Sequence, residues 1–158
     1  MTPTLRHSLR IVLVALLLGS LLLQALLPLI ADEAGGGYTE TAGLVLPYAA
    51  SGIASVACLQ VLLGAAWWLV TRVDRDEILT PRALRGVDVA TGAVVLATVL
   101  AAAPVVHLLF VVGVGGPGVL LALLACLAGG VGLTCGFRVL RSVLVAATAD
   151  RTELAAVV

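Results

Sequence analysis

The sequence predicts an all-α fold, a polytopic membrane protein whose four transmembrane helices form an antiparallel bundle. Of its 158 residues, 61% are hydrophobic and 11% are charged, whereas a soluble domain is about half apolar and a quarter charged. A chain of this size cannot bury so much apolar surface in a water-soluble core, so the lipid bilayer must solvate much of it. We therefore expect one membrane domain, residues 1–158. The zero net charge argues against direct binding of nucleic acid.

Four apolar runs reach the length of about 20 residues that crosses a bilayer. The connectors between them are short, so successive helices should lie side by side in opposite directions. The predicted spans cover residues 11–31, 44–70, 87–112 and 119–140.

The arginines predict the orientation of the spans. All nine precede the first span, lie in the loop at 71–86, or lie at or beyond the inner end of the fourth span, and the other two loops contain none. Cytoplasmic segments carry such an excess, so both termini and the 71–86 loop should be cytoplasmic. The aromatic residues agree with this assignment. Trp67 and Trp68 lie at the inner end of the second span, and Tyr38 and Tyr48 flank its outer end, where such rings prefer the headgroups.

A secretory signal peptide is the alternative interpretation of the first span. Arg6 and Arg10 precede an apolar run, as they would in a signal peptide. However, Leu29-Ile30-Ala31 is a poor cleavage site, and the run exceeds the usual length. We favour an uncleaved span.

The loop at 71–86 contains a signal for the start of a helix. Thr80 is a suitable N-cap, and Pro81 suits the first helical position because proline has no amide to leave unsatisfied. This helix would continue into the third span. Arg85 and Asp88, three residues apart, would then share a face and could form an ion pair.

The same loop resembles a known family. Ile78-Leu79-Thr80-Pro81 followed by Leu84-Arg85 is similar to the start of the third helix in the bacterial domain of unknown function 2975 family, although that family usually continues Pro-Glu-Asn and this chain has Pro81-Arg82-Ala83. The acidic, then apolar ending at 147–158 and the layout of the spans also resemble the family. The resemblance implies a small four-helix protein of the bacterial cell membrane with no established activity. Members are often encoded beside a small helix-turn-helix regulator, which implies a possible cytoplasmic regulatory partner.

Apart from Arg138 at the inner end of the fourth span, two charged or titratable candidates lie within the predicted spans, Asp88 near the inner boundary and His107 toward the outer end of the third span. Such groups are costly in hydrocarbon and are candidates for function. A single His without a nearby acid makes a poor proton relay, so we expect His107 to form an interhelical hydrogen bond. Pro104 frees the carbonyl of Leu100 in the same span, and a donor on a neighbouring helix could satisfy it.

Other polar and small residues predict contacts between helices. Gln24 and Gln60 are expected to hydrogen-bond inside the bundle. Ser51 and Ser55, four residues apart, form a small-residue stripe on one face. Gly132 and Gly136 form a GxxxG motif, which allows close packing of helices, either within the chain, our default, or between two copies.

The sequence contains no motif for catalysis, and we expect no catalytic residue, cofactor or metal site. The three cysteines lie in apolar runs without a CxxC pair and are read as packing residues. Beyond the fourth span, the tail at 141–158 is expected to extend that helix as a moderately amphipathic segment near the inner leaflet.

We therefore expect a non-enzymatic membrane protein that acts by binding a cytoplasmic regulatory partner, for which the family resemblance suggests the helix-turn-helix class. The candidate interaction residues are charged and lie on the cytoplasmic side: Arg82, Arg85, Asp88, Arg141 and Glu153. The alternative is a small transporter or channel subunit. It would require a homo-oligomer, because few polar residues could line a path, with His107, Gln60 and Thr98 the candidates.

Overall fold

The computed structural model describes residues 3–35, 43–74, 81–113 and 115–156. These residues form four long helices, α1 (Pro3–Gly35), α2 (Val45–Asp74), α3 (Pro81–His107) and α4 (Pro117–Ala156). A short π-helix, Leu108–Val112, continues α3. The predicted all-α fold with four spans is confirmed. Each helix is long and apolar enough to cross a membrane, and the protein is a multi-pass membrane protein.

The ends of α3 follow from local chemistry. The helix begins at Pro81, as the sequence predicts; the proposed cap, Thr80, lies outside the described residues. At the other end the π-helix stops at Gly113, whose φ of 71° lies in the left-handed region and whose N–H donates to the Leu108 carbonyl. Glycine suits this position because it has no Cβ to clash. The sequence analysis did not predict the π-helix.

The helices pack in chain order, with α1 on α2, α2 on α3 and α3 on α4. Neighbouring helices run antiparallel. At one end of the α2–α3 pair, Trp68 lies against Gly86, and at the other end Tyr48 contacts His107. The chain thus forms a bundle in which α3 has a neighbour on each side.

The core is built from small residues of α3. Most of its buried residues follow one another at three or four positions, as on a helix face that packs against a neighbour. Side chains of this size let helix backbones approach closely, which favours association in a membrane where the hydrophobic effect contributes little. The buried apolar residues of α3 are Ala83, Val87, Ala90, Ala93, Val94, Ala97 and Ala102.

The outward surfaces carry large apolar side chains. On α1, Ile11, Leu18, Leu22 and Leu29 are each more than half exposed. In water each would forgo about 1.5–3 kcal/mol of favourable burial. Hydrocarbon removes this cost, so these surfaces fit a lipid environment.

Candidate functional site

The end of the bundle at which α1 and α3 begin and α2 and α4 end is called the arginine end here. Two tryptophans of α2 lie at this end beneath guanidinium groups. The Arg10 guanidinium lies 5.8 Å from the ring centroid of Trp67, and that of Arg72 lies 4.8 Å from the ring centroid of Trp68. Both distances fall within the range of a cation–π attraction. Aromatic rings and arginines of this kind are typical of the ends of membrane helices, where they meet the lipid headgroups.

The start of α3 is held tightly against α2. Ala83 and Val87 are both fully buried, and a Cβ added at Gly86 would lie 2.7 Å from Cζ3 of Trp68. Glycine is therefore required for this close approach. The first turns of α3 are anchored in the bundle although they lie at its edge.

Arg82 and Arg85 are exposed on the outer side of this anchored segment. Neither forms a hydrogen bond or an ion pair with any residue that the structure describes. Three residues separate them, so their Cβ atoms lie on neighbouring positions of one helix face. Two guanidinium groups are thus available to a molecule outside the bundle.

Asp88 pairs with α4. The Nε atom of Arg141 donates a 2.7 Å hydrogen bond to Oδ1 of Asp88. The expected pair between Arg85 and Asp88 is therefore wrong. Spacing along one helix brings two Cβ atoms near each other, but the packing of α4 on α3 supplies a second arginine, and that one has the favourable geometry. Two of the candidate interaction residues, Asp88 and Arg141, are thus bonded to each other.

A polar cleft lies beside this ion pair, between α3 and α4, with a volume of about 450 Å³. Six residues line it: Asp88, Thr91, Gly92, Arg138, Arg141 and Ser142. This cleft was not predicted from the sequence, in which Asp88, Arg138 and Arg141 appear only as separate charged residues. The remaining candidate, Glu153, belongs to α4, but its side chain lies outside the described residues.

The two intramembrane glutamines meet between α1 and α2. Nε2 of Gln60 donates to Oε1 of Gln24 at 2.9 Å, and Nε2 of Gln24 donates to the Ile53 carbonyl at 3.3 Å. Each amide therefore has a partner within the apolar spans. Such bonds stabilise membrane helix pairs by about 1 kcal/mol or less.

Ser51 and Ser55 of α2 bind the backbone of α3. Oγ of Ser51 donates to the Leu100 carbonyl at 2.7 Å, and Oγ of Ser55 donates to the Ala97 carbonyl at 2.9 Å. The Leu100 carbonyl is the one that Pro104 leaves without its helical partner. Ser51 thus supplies the donor that the sequence analysis expected from a neighbouring helix.

His107 is bonded to Tyr48 near the opposite end of the bundle. Oη of Tyr48 and Nδ1 of His107 are 2.7 Å apart, and the two rings meet edge to face at a centroid distance of 6.0 Å. The expected interhelical hydrogen bond of His107 is present. Its partner was missed, because Tyr48 was interpreted only as a headgroup anchor.

The GxxxG glycines do not pack within the chain. Among the residues that the structure describes, no atom outside the glycine's own helix backbone would lie within 4 Å of a Cβ added at Gly132 or Gly136, so the default assignment to intramolecular packing is wrong. The close approach of α4 to α3 occurs at Gly130 instead, where an added Cβ would overlap the side chain of Thr98. Gly130 lies on another face of α4, and the motif alone does not reveal which glycine faces the neighbour.

Metal-binding geometry is not found in the described part of the chain. No group of three or more His, Cys, Asp or Glu side chains there is placed to hold a metal ion. Cys58, Cys126 and Cys135 are free thiols.

Comparison with known proteins agrees with this architecture. The chain matches no curated protein and no solved structure. The model of a family described as a protein of unknown function, DUF2975, matches residues 28–158, from the last turns of α1 through α4. This match covers most of the sequence and all of α2, α3 and α4, and the chain therefore belongs to the DUF2975 family.

Proposed function

We propose that this membrane protein works by binding a cytoplasmic regulatory protein through Arg82 and Arg85 at the arginine end. The observation that carries the proposal is the contrast between the two faces of the first turns of α3. One face is fully buried at Ala83 and Val87, while the other exposes two arginines without partners among the described residues.

This contrast matters for affinity. A partner that binds a flexible loop must order it first, at a cost in conformational entropy, whereas an anchored helix is already ordered. Exposed guanidinium groups recognise carboxylates through paired, charge-assisted hydrogen bonds. The surface therefore fits a protein that presents acidic side chains at matching spacing.

The side of the membrane follows from the arginines. In the sequence, all nine lie near the start of the first helix, between the second and third helices, or from residue 138 onward, and such an excess is typical of cytoplasmic segments. The proposal places this end, with both termini, in the cytoplasm. A regulator of the helix-turn-helix class would be found there.

The length of α4 adds surface at the same end. Its 40 residues extend over roughly 60 Å, about twice the thickness of the hydrocarbon core. The part of α4 that follows Arg141 continues as a helix to Ala156. We propose it as the second part of the docking surface.

The proposed role is non-enzymatic. Its support is that three polar side chains within the spans, Gln24, Gln60 and His107, are engaged in hydrogen bonds between helices. The same bonds make the alternative, an oligomeric transporter or channel subunit, the weaker proposal, since His107 and Gln60 were its lining candidates. A strict monomer, by mass measurement in nanodiscs, would overturn that alternative.

Co-purification tests the docking proposal. The full-length chain is co-expressed with the helix-turn-helix regulator encoded nearest to its gene, and the regulator retained on the tagged membrane protein is quantified. We expect the double variant Arg82→Gln/Arg85→Gln to lose at least about tenfold, because it removes two charge-assisted contacts.

The matched control is Arg138→Gln, which removes an exposed arginine of the same end but of another surface. It should retain the regulator as well as the wild type does. Equal thermal stability of the variants in detergent shows that folding is unaffected. Retention by the double variant at the wild-type level would overturn the proposal.

A further inference from the structure

We propose that the cleft between α3 and α4 at the arginine end binds the phosphate of an anionic phospholipid. The inference starts from the cleft itself, which has a volume of about 450 Å³ and two arginines in its wall, Arg138 and Arg141. Basic pockets between transmembrane helices at the inner surface are typical sites for anionic lipid headgroups.

The hydrogen-bond donors that would hold a phosphate are those of the two arginines. Arg138 is exposed and makes no hydrogen bond with a described residue. Arg141 uses Nε for Asp88, which leaves its two terminal nitrogens to bind oxygen. The hydroxyls of Thr91 and Ser142 already donate to carbonyls of their own helices, so they can accept a hydrogen bond but not donate a second one.

Asp88 limits the choice of ligand and orients the site. Its carboxylate offsets one of the two guanidinium charges, which leaves the cleft with a net charge of about one positive unit. Its hydrogen bond also fixes the direction of the Arg141 side chain. Because that side chain is already ordered, it loses less conformational freedom when a ligand binds. A headgroup with one net negative charge therefore matches the site, whereas the cationic amine of a choline headgroup does not.

The surroundings favour a lipid over a soluble anion. Gly92 lines the cleft, and no atom lies within 4 Å of the place where its Cβ would be, so the wall is open on the α3 side. Toward the middle of the bundle the same helix faces continue with exposed Val95 and Val131, at 45% and 60%. Val95 follows Asp88 by two turns and Val131 precedes Arg138 by two turns. An acyl chain can lie along this apolar surface while the phosphate stays at the arginines.

Native mass spectrometry tests the site. The purified full-length protein is stripped of lipid in detergent and titrated with dioleoylphosphatidylglycerol or with dioleoylphosphatidylcholine. We expect one phosphatidylglycerol to be bound in preference to phosphatidylcholine. Arg138→Gln should weaken that binding by about tenfold, since it removes a charge-assisted contact. The matched variant Arg82→Gln, at the same end but outside the cleft, should bind as the wild type does.

Three results would overturn the proposal. Equal losses of phosphatidylglycerol affinity for Arg138→Gln and Arg82→Gln would mean that the lipid binds any arginine of this end and not the cleft. Equal binding of the two lipids would remove the charge selectivity, and displacement of the lipid by inorganic phosphate would indicate a soluble anion as the ligand. Because Arg82 and Arg138 exchange the roles of test and control in the two experiments, failure of the lipid site and failure of the docking surface are distinguishable.

Discussion

Oγ of Ser51 on α2 donates a 2.7 Å hydrogen bond to the carbonyl of Leu100 on α3, the carbonyl that Pro104 leaves without a donor in its own helix. A proline within a transmembrane helix is tolerated when a neighbour satisfies the carbonyl it frees. The hydrogen bond therefore joins α2 to α3 at the point where α3 lacks one of its own backbone hydrogen bonds.

Ser51→Ala should lower the free energy of unfolding by about 1 kcal/mol, because the Leu100 carbonyl then lacks a partner in an apolar environment. In the background of Pro104→Ala, residue 104 regains an N–H for that carbonyl, and the same serine substitution should cost little. Unfolding in mixed micelles gives the four values of this double-mutant cycle. Ser20→Ala is the control, since Ser20 donates within its own helix. Equal costs of Ser51→Ala in both backgrounds would contradict the assignment.

Gly130 and Gly132 should respond differently to the same change. Gly130→Ala places a methyl group against Thr98 and should destabilise the protein by about 1–3 kcal/mol. Gly132→Ala enters open space and should be neutral or stabilise the helix by up to about 1 kcal/mol. Thermal unfolding in detergent measures both. If Gly132→Ala proves the more damaging, the exposed face of α4 is packed in the folded protein.

The ion pair between Asp88 and Arg141 should contribute little to stability. Both side chains are about half exposed, at 51% and 48%, and ion pairs accessible to solvent are worth about 0–1 kcal/mol. Asp88→Asn and Arg141→Gln should each cost less than about 1 kcal/mol, with a coupling between them in a double-mutant cycle. Arg85→Gln should show no coupling to Asp88→Asn. Coupling to Arg85 in place of Arg141 would contradict the observed pair.

The topology can be measured with reporter fusions. Green fluorescent protein at the C-terminus should fluoresce, and alkaline phosphatase inserted between residues 36 and 42 should be active, because the arginines hold their segments in the cytoplasm. The loop that receives the phosphatase contains no arginine, and three acidic residues, Asp32, Glu33 and Glu40, lie in or beside it. An active phosphatase fused at the C-terminus would reverse the proposed orientation.

Much of the fold was predictable because hydropathy and loop length are local properties. Four runs of apolar residues and short connectors determine four antiparallel neighbours. That Gln24 and Gln60 hydrogen-bond between helices also followed, since an amide in hydrocarbon must find a partner, but their bond to each other was not predicted. The need for a donor at Leu100 was predictable from Pro104 for the same reason.

Partners that depend on how a helix is rotated were not predictable. Asp88 has Arg85 nearby in sequence, yet it bonds to Arg141, 53 residues away. The glycines of α4 illustrate the same limit. That helix is apolar on all sides, so no polar stripe indicates which face meets α3, and Gly130 could not be distinguished from the GxxxG pair.

The chain order of the packing has a consequence for biogenesis. Because α1 packs on α2, α2 on α3 and α3 on α4, each helix released into the membrane during synthesis finds its predecessor already there as a surface to pack against. Once α1 has been inserted, no later helix among those described has to wait for its successor before it gains a neighbour. Order of insertion and order of assembly are then the same, and the nascent chain needs no rearrangement to reach its final form.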